Sequence, residues 1–332
     1  MRQEIRQDPI SGQSVIIAPA RALRPRDFAE APQAAMPELR RDCPFCEGFE
    51  RETPGEVLAR RNAGTLPDTP GWQVRVVPNK FPALGGPDAS GPGVHEVIVE
   101  TPRHVAPLTC FADHELATVF EVYAQRLAVL SQDPELAYGL LFKNFGPSAG
   151  ASLEHAHSQL LALPMVPPLA AAEWSGALDW HTREGGCYWC QLLDRELAER
   201  VRVVEESPQF VALTPFASRF AFEVCIVPRR HVAHFHAANP EELGEVASMA
   251  KRVIARLERV LEPLAFNYFV HTSPFAKQQN RRDGYDLEVP SHYHWHLEIV
   301  PRISNVAGFE WGSGCFINAV PPEVAAAMLR DV

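Results

Sequence analysis

Two histidines and a glutamine at alternate positions, His155, His157 and Gln159, follow directly on the glycine- and serine-bearing run Gly146-Pro147-Ser148-Ala149-Gly150-Ala151-Ser152. Side chains two apart on a β-strand share a face. The apolar run Leu160 to Leu163 favours a strand here, so the two imidazoles and the amide are expected to point together into one cleft. If His155 is tied to a metal, His157 is the imidazole left beside a loop rich in donors. Backbone N–H groups and side chains at Asn144, Gly146, Ser148, Gly150 and Ser152 can hold phosphate oxygens there. A neutral imidazole nitrogen can attack an α-phosphorus, expel a phosphate or sugar phosphate, and carry the nucleotide until a second phosphate acceptor removes it. Its other nitrogen needs an acceptor, such as a backbone carbonyl, to fix the tautomer. Gln159 can donate to a nonbridging oxygen but cannot protonate a leaving group, and a sugar phosphate leaves without a proton. Transfer therefore fits these residues better than hydrolysis of a basic leaving group.

The cysteines point to metal. Of seven, four form Cys-x-x-Cys pairs, Cys43/Cys46 and Cys187/Cys190, a pattern of metal sites rather than of a disulfide framework, and one suited to a reducing cytoplasm. Cys43, Cys46, His104 and His155 can close a tetrahedral zinc shell. A lone pair of cysteines would be weak evidence, but each pair is followed by a similarly placed Arg-His, Arg103-His104 and Arg230-His231. By that logic a second site takes Cys187, Cys190, His231 and His292. Both would be structural, because four protein ligands leave no position for water, giving two Zn2+ per chain. The strand His292-Tyr293-His294-Trp295-His296 carries three histidines on one face, more than a structural site needs. His294 and His296 are read as vestigial or substrate-side groups, and Glu173 with His271 could join them around a second metal in competition with the Cys187/Cys190 site.

The elements that must position these residues occur twice. Residues 95–108 (HEVIVETPRHVAPL) and 222–235 (FEVCIVPRRHVAHF) share Glu, Val, Arg, His, Val and Ala in register, an internal repeat. After each copy an amphipathic helix is expected. The first has Asp113 as N-cap and Leu116, Phe120, Tyr123, Leu127 and Leu130 at three- and four-residue steps. The second has Asn239-Pro240 at its start and Leu243, Val246, Val253, Leu257 and Val260 along one face. Each copy then closes with a histidine-bearing strand, HAHSQLLALP at 155–164 and HYHWHLEIVP at 292–301. The proline-rich segment from Pro164 to about Gly186 reads as the junction, dividing the chain into halves at 1–170 and 171–332.

With 46% hydrophobic residues the chain can bury sizeable cores, and a net charge of −10 argues against a general nucleic-acid or anionic-membrane surface. The partner is expected to be small, with its phosphates met by a local cluster of donors. No membrane span is expected, since the apolar run from Leu160 to Ala172 is broken by Pro164, Pro167 and Pro168.

The chain resembles the galactose-1-phosphate uridylyltransferase family of the histidine-triad superfamily over nearly its whole length. The resemblance rests on DPISGQSVIIAPARALRP near the start, DCPFC, VPNKFPAL at 77–84, the segment Asn144 to Gln159, and AGFEWGSGCFIN at 307–318. It implies an α+β fold of two histidine-triad-like halves, each an antiparallel sheet with helices, in a homodimer with sites near the subunit interface. It also implies His157 as the nucleotidylated residue and Gln159 as its phosphoryl partner, with Asn79 and Phe81 flanking the nucleoside and Asn144 and Ser152 serving the phosphates. Arg21 and Arg24 would supply charge for the sugar phosphate, with Gly312, Gly314 and Asn318 lining its pocket. The implied substrates are a nucleotide sugar and a sugar phosphate, the leading expectation being UMP transfer from UDP-glucose to galactose 1-phosphate. Ala156 and Ser158 stand where the best-known members have proline and glycine, and their second metal site uses Glu and His. A two-Cys-pair form with Ser before the Gln is similar to an adenylyl-transferring branch acting on ADP-glucose and phosphate, the alternative reading; a histidine-triad hydrolase is a further one, against which Gln159 speaks.

Overall fold

In the computed structural model, which describes residues 3–23, 43–85, 92–275 and 291–332, some strands alternate buried and half-buried side chains and others are buried on both faces. A hairpin, β1 (Glu4–Gln7) and β2 (Ser14–Ile17), precedes the first half: β3 (Leu58–Arg61), β4 (Trp72–Pro78), β5 (Val94–Val99), helix α1 (Asp113–Leu130), β6 (Tyr138–Phe145) and β7 (His157–Leu163). Helices α2 (Pro168–Glu184) and α3 (Tyr188–Glu199) lead into β8 (Val203–Glu206), β9 (Phe210–Leu213), β10 (Val224–Pro228), α4 (Pro240–Val260), β11 (Phe266–His271) and β12 (His296–Pro301). A short helix Gly308–Ser313, β13 (Phe316–Asn318) and a C-terminal helix Pro322–Arg330 complete the described chain.

Ten strands make one antiparallel sheet in the order β3-β4-β5-β7-β6-β11-β12-β10-β9-β8. Outward from the β6–β11 seam the two halves correspond strand for strand, β7 matching β12, β5 matching β10, and so on to the edges. The fold is α+β, built of two corresponding halves, and their two expected sheets are one continuous sheet. Phe142 and Phe269 face each other across the seam; Phe142 also pairs with Gln159 and Phe269 with Glu298. The approximate twofold therefore relates Gln159 to Glu298, His157 to His296 and His155 to His294. It also shifts the strand part of the sequence repeat by one, because Val97 stands opposite Gln159 while Cys225 stands opposite Glu298.

The two long helices cover one face of the sheet. On α4 the buried residues Leu243, Val246, Ala250, Val253 and Leu257 recur at three- and four-residue steps, and α1 repeats the pattern with Leu116, Phe120, Tyr123 and Leu127, so both stripes join a single apolar core. Asn239 caps α4, its Oδ1 accepting from Glu242 N at 2.9 Å while the Glu242 carboxylate accepts from Asn239 N at 2.8 Å. In α1 the cap position falls at Ala112, one residue before the expected Asp113, and Glu115 accepts from Ala112 N at 2.8 Å. The junction holds α2, seventeen residues long. Pro167 and Pro168 sit at its N-cap and first position, where a missing N–H costs nothing.

Strand alternation divides the side chains between faces. Leu160 and Ala162 of β7 and Ile98 of β5 enter the helical core, and Val97 and Val99 pack on the opposite face with Trp72, Val77 and Phe45. His157 and Gln159 share that opposite face. In the second half the same face is covered by α2 and α3 through Ala177, Trp189, Leu192 and Leu193. A small sheet, β1-β2-β13, lies against the second half, tied by Asn318 Nδ2, which donates to Ser218 O at 2.9 Å and Phe220 O at 3.2 Å. Among the described residues no helix is long and apolar enough to cross a membrane.

Candidate active site and metal centres

At the start of β7 the His157 ring is held by its own strand. Nδ1 lies 2.7 Å from His155 O; a carbonyl only accepts, so Nδ1 carries the proton and Nε2 keeps its lone pair. Burial lowers the pKa, partly offset by that backbone bond, which keeps the ring neutral and nucleophilic. The Phe45 ring packs 5.3 Å from it. His155 has the opposite arrangement: Nε2 donates to Thr101 O at 2.7 Å, and Nδ1 faces Cys43 and Cys46 at 3.6 Å each.

Behind the ring runs a buried polar chain that joins three strands. Lys143 Nζ, from the middle of β6, donates to His157 O at 3.0 Å and to Glu100 Oε2 at 2.7 Å. Glu100, just past the end of β5, also accepts from Tyr123 OH at 2.6 Å and from Ser158 Oγ. Tyr268 OH stands 2.7 Å from Tyr123 OH. Burial raises the Glu100 pKa, but the Lys143 charge and these donors together hold it below its ordinary value. Ser158 thus spends its hydroxyl beneath the strand rather than in the cleft.

Two carboxamides beside His157 have their oxygens occupied. Asn144 Oδ1 accepts from Asn267 Nδ2 at 2.8 Å, and Gln159 Oε1 lies 2.9 Å from His95 Nε2. What each can offer a phosphate is its NH2. Gly146 and Gly150 take φ of 83° and 87°, values a side chain would strain. The loop differs from expectation in one respect: the N–H groups of Ala149, Gly150 and Ala151 turn inward onto Gly146 O and Pro147 O, so Gly150 N is not offered to a ligand. Donors outside these bonds include the Asn144 amide and the exposed hydroxyls of Ser148 and Ser152.

Cys43, Cys46, His104 and His155 converge so that one atom of each lies within 4.8 Å of the others. A tetrahedral zinc with ordinary Zn–S and Zn–N bonds requires sulfur–nitrogen edges of about 3.6 Å; those found are 3.4 to 3.6 Å. Burial and the neighbouring Cys43 push the Cys46 thiol up to about 12, so two thiolates side by side require a cation. The second quartet is Cys187, Cys190, His231 and His294, with edges of 3.5 to 3.8 Å. Here the structure corrects the expectation of His292. That residue packs against Trp174 with ring centroids 4.9 Å apart, and His294 is the twofold counterpart of His155.

Glu173, His271 and His296 form a third cluster, separate from the cysteines rather than competing with them. His271 Nδ1 lies 2.7 Å from Glu173 and Nε2 lies 2.9 Å from Glu298. Both nitrogens face carboxylates, so both carry protons and neither has a lone pair for a metal. Burial opposes this charge, but the two carboxylates outweigh it and carry the pKa up to about 10. His296, the counterpart of His157, repeats its bond with Nδ1 3.2 Å from His294 O. It is covered by the Trp189 ring at 4.2 Å and stacked on His271 at 4.4 Å, which leaves no room for a substrate.

The remaining expected site residues are dispersed. Asn79 sits beside His95, and its Oδ1 accepts from Phe81 N at 2.9 Å, with Phe81 83% exposed. Asn318 is buried with its NH2 spent on Ser218 and Phe220 and its oxygen on Val320 N at 2.9 Å, so it has no group left for a sugar phosphate. Arg21 is exposed beside the small sheet, Gly312 lies in the short helix and Gly314 caps it; Arg24 lies outside the described residues. Sequence reasoning missed Lys143, Glu100, Asn267 and His95. A lysine in a largely apolar strand was the signal available for the first.

Comparison with known proteins gives relatives along the full chain. Residues 177–330 match the model described as galactose-1-phosphate uridyl transferase, C-terminal domain, and residues 30–166 match the N-terminal domain of DUF4931, a domain of unknown function. An ADP-glucose phosphorylase from Arabidopsis thaliana is 34% identical over 99% of this chain and 93% of its own. A galactose-1-phosphate uridylyltransferase from Thermotoga maritima is 29% identical over 99% and 98%. Among solved structures, that of an Arabidopsis ADP-glucose phosphorylase with bound ADP-glucose superposes with a TM-score of 0.85 at 33% identity, covering 100% of this chain and 99% of that one.

Proposed function

Since the chain belongs to the galactose-1-phosphate uridylyltransferase family, whose relatives here are nucleotidyl-transferring enzymes and phosphorylases, we propose that it transfers AMP from ADP-glucose to phosphate through His157. The observation that carries the reading is the ring itself. His157 is 8% exposed, protonated on Nδ1 by its bond to His155 O, and left with a nucleophilic Nε2 on the face shared with Gln159. Nε2 attacks the α-phosphorus of the nucleotide sugar; the bond to the bridging oxygen breaks and glucose 1-phosphate leaves as an anion. A phosphate oxygen then attacks the same phosphorus, releasing ADP and restoring the imidazole. The Gln159 and Asn144 NH2 groups stand where nonbridging oxygens gain charge. The two quartets would each hold a zinc as a closed structural shell, supplying no Lewis acid to the reaction and fixing the ends of the strands.

Adenylyl is preferred to uridylyl because the relative at 34% identity is named an ADP-glucose phosphorylase and the structure at TM-score 0.85 holds ADP-glucose. Arg21 and Arg24 remain our assignment for the sugar phosphate, with Gly312 and Gly314, in a homodimer whose sites lie near the subunit interface; light scattering tests the assembly. Incubation with ADP-glucose or UDP-glucose followed by intact mass measurement tests the donor. The adduct is expected from ADP-glucose at the mass of one AMP and is expected to vanish in His157→Ala. A UMP adduct alone would return the reading to galactose 1-phosphate uridylylation, and free AMP released equally fast without phosphate would make the protein a hydrolase.

A further inference from the structure

We propose that His95 is a positioning residue that fixes which end of the Gln159 amide faces the transferring phosphoryl group, an inference that rests on the nucleotidyl-transfer reading above. An amide has a donor end and an acceptor end of nearly the same shape, and only the donor end stabilises an oxygen gaining negative charge. Nothing within Gln159 chooses between them. His95 does, because its own protonation is set by the backbone. Ala83 N–H donates to His95 Nδ1 at 3.0 Å. That nitrogen must therefore hold a lone pair, and the ring proton resides on Nε2, 2.9 Å from Gln159 Oε1. The Gln159 oxygen is thereby committed to His95 and its NH2 is turned toward the cleft. Asn79 joins the same unit through its backbone N–H, which donates to His95 O at 2.8 Å; its side-chain NH2, 3.0 Å from Nε2, meets a second donor there and makes no hydrogen bond to it. The segment 79–83, with Asn79 and Phe81, is so linked through one imidazole to the amide beside the reacting phosphorus.

The second half of the molecule supplies an internal comparison. Val97 stands opposite Gln159 and Cys225 opposite Glu298, so the counterpart of His95, two residues before Val97, is Glu223, two before Cys225. Glu223 touches Glu298 just as His95 touches Gln159, and the pair is held with Arg219. The contact between the two positions occurs in both halves. Only beside His157 does it consist of a donor that orients an amide; beside the covered His296 it is a pair of carboxyl groups with no NH2 to offer.

Single-turnover adduct formation from ADP-glucose, followed by intact mass, tests this with the full-length protein. His95→Ala is expected to slow adduct formation by about 10- to 100-fold with its final amplitude unchanged, whereas damage to folding alone would lower the amplitude and leave the rate. In a Gln159→Ala background the His95→Ala change is expected to cost less than about twofold, because the residue acts through the amide. His95→Gln, which restores an NH2 near the Nε2 position, should return the rate to within about threefold of the parent, and His95→Glu, which offers only acceptors, should not. This last pair decides the matter if the alanine variant does not fold. Equal rates for the Gln and Glu variants, a wild-type rate in His95→Ala, or a full additional loss on top of Gln159→Ala would overturn the inference and leave the nucleotidyl-transfer reading standing. Failure of the parent protein to form an adduct from any nucleotide sugar would remove both.

Discussion

Replacing Gln159 by Ala removes one donor to a charged transition state in a partly buried site, and the expected loss is about 10²- to 10³-fold in kcat with little change in KM. Steady-state kinetics with ADP-glucose and phosphate measure it, and an unchanged kcat would take Gln159 out of the mechanism. Period-two spacing was enough to put His157 and Gln159 on one face of β7, and His155, just before the strand, lies on the same side, since the Phe45 ring packs against both imidazoles. The same rule could not choose among His292, His294 and His296, because all three satisfy it equally. Their roles are decided by what lies across the strand: Cys187 and Cys190 reach His294, the Trp189 ring caps His296, and Trp174 occupies the space beside His292. Those partners are remote in sequence, so only the folded arrangement distinguishes the three residues.

Strands β5, β6 and β7 meet in the Glu100–Lys143–His157 chain, and both charged side chains are buried there. Lys143→Met leaves Glu100 as an unpaired buried carboxylate and is expected to destabilise the protein by about 3–5 kcal/mol in urea unfolding. Adding Glu100→Gln should recover much of that loss, and failure to do so would mean that the pair is not the source of the effect. The helices were legible where capping and apolar spacing agreed, as at Asn239 and α4. Helix α2 was hidden by its own prolines, which read as a break although they occupy positions where a helix begins. The repeat was legible in outline, but its strand part was one residue out of step. Glu, Val and Arg-His coincide along the chain, whereas pairing with the histidine-bearing strand follows the sheet, and an extra residue after β5 separates the two measures.

At the scale of the whole molecule, the chemistry among the described residues divides between two metal-competent quartets and one proton-filled cluster. Fully loaded protein is expected to contain two equivalents of zinc per chain by elemental analysis, and Cys46→Ser or Cys190→Ser should each lose about one equivalent. Three equivalents would contradict the protonated His271. Its folded pKa of about 10 lies above the ordinary histidine value of about 6.5, so its stabilising charge is complete below about pH 6.5 and is lost as pH rises through about 10. Relative to the parent, His271→Gln should therefore cost about 3 kcal/mol near pH 6, and the gap should narrow toward pH 10 in pH-dependent unfolding. A gap independent of pH would assign His271 a purely packing role.

The seam between β6 and β11 carries a consequence for dilution. Two half-sized chains paired along such an edge would have to find each other by collision and would part at low concentration. Joined through α2 and α3, they meet instead at an effective concentration of about a millimolar, so Asn267 stays on Asn144 beside His157 however scarce the protein becomes.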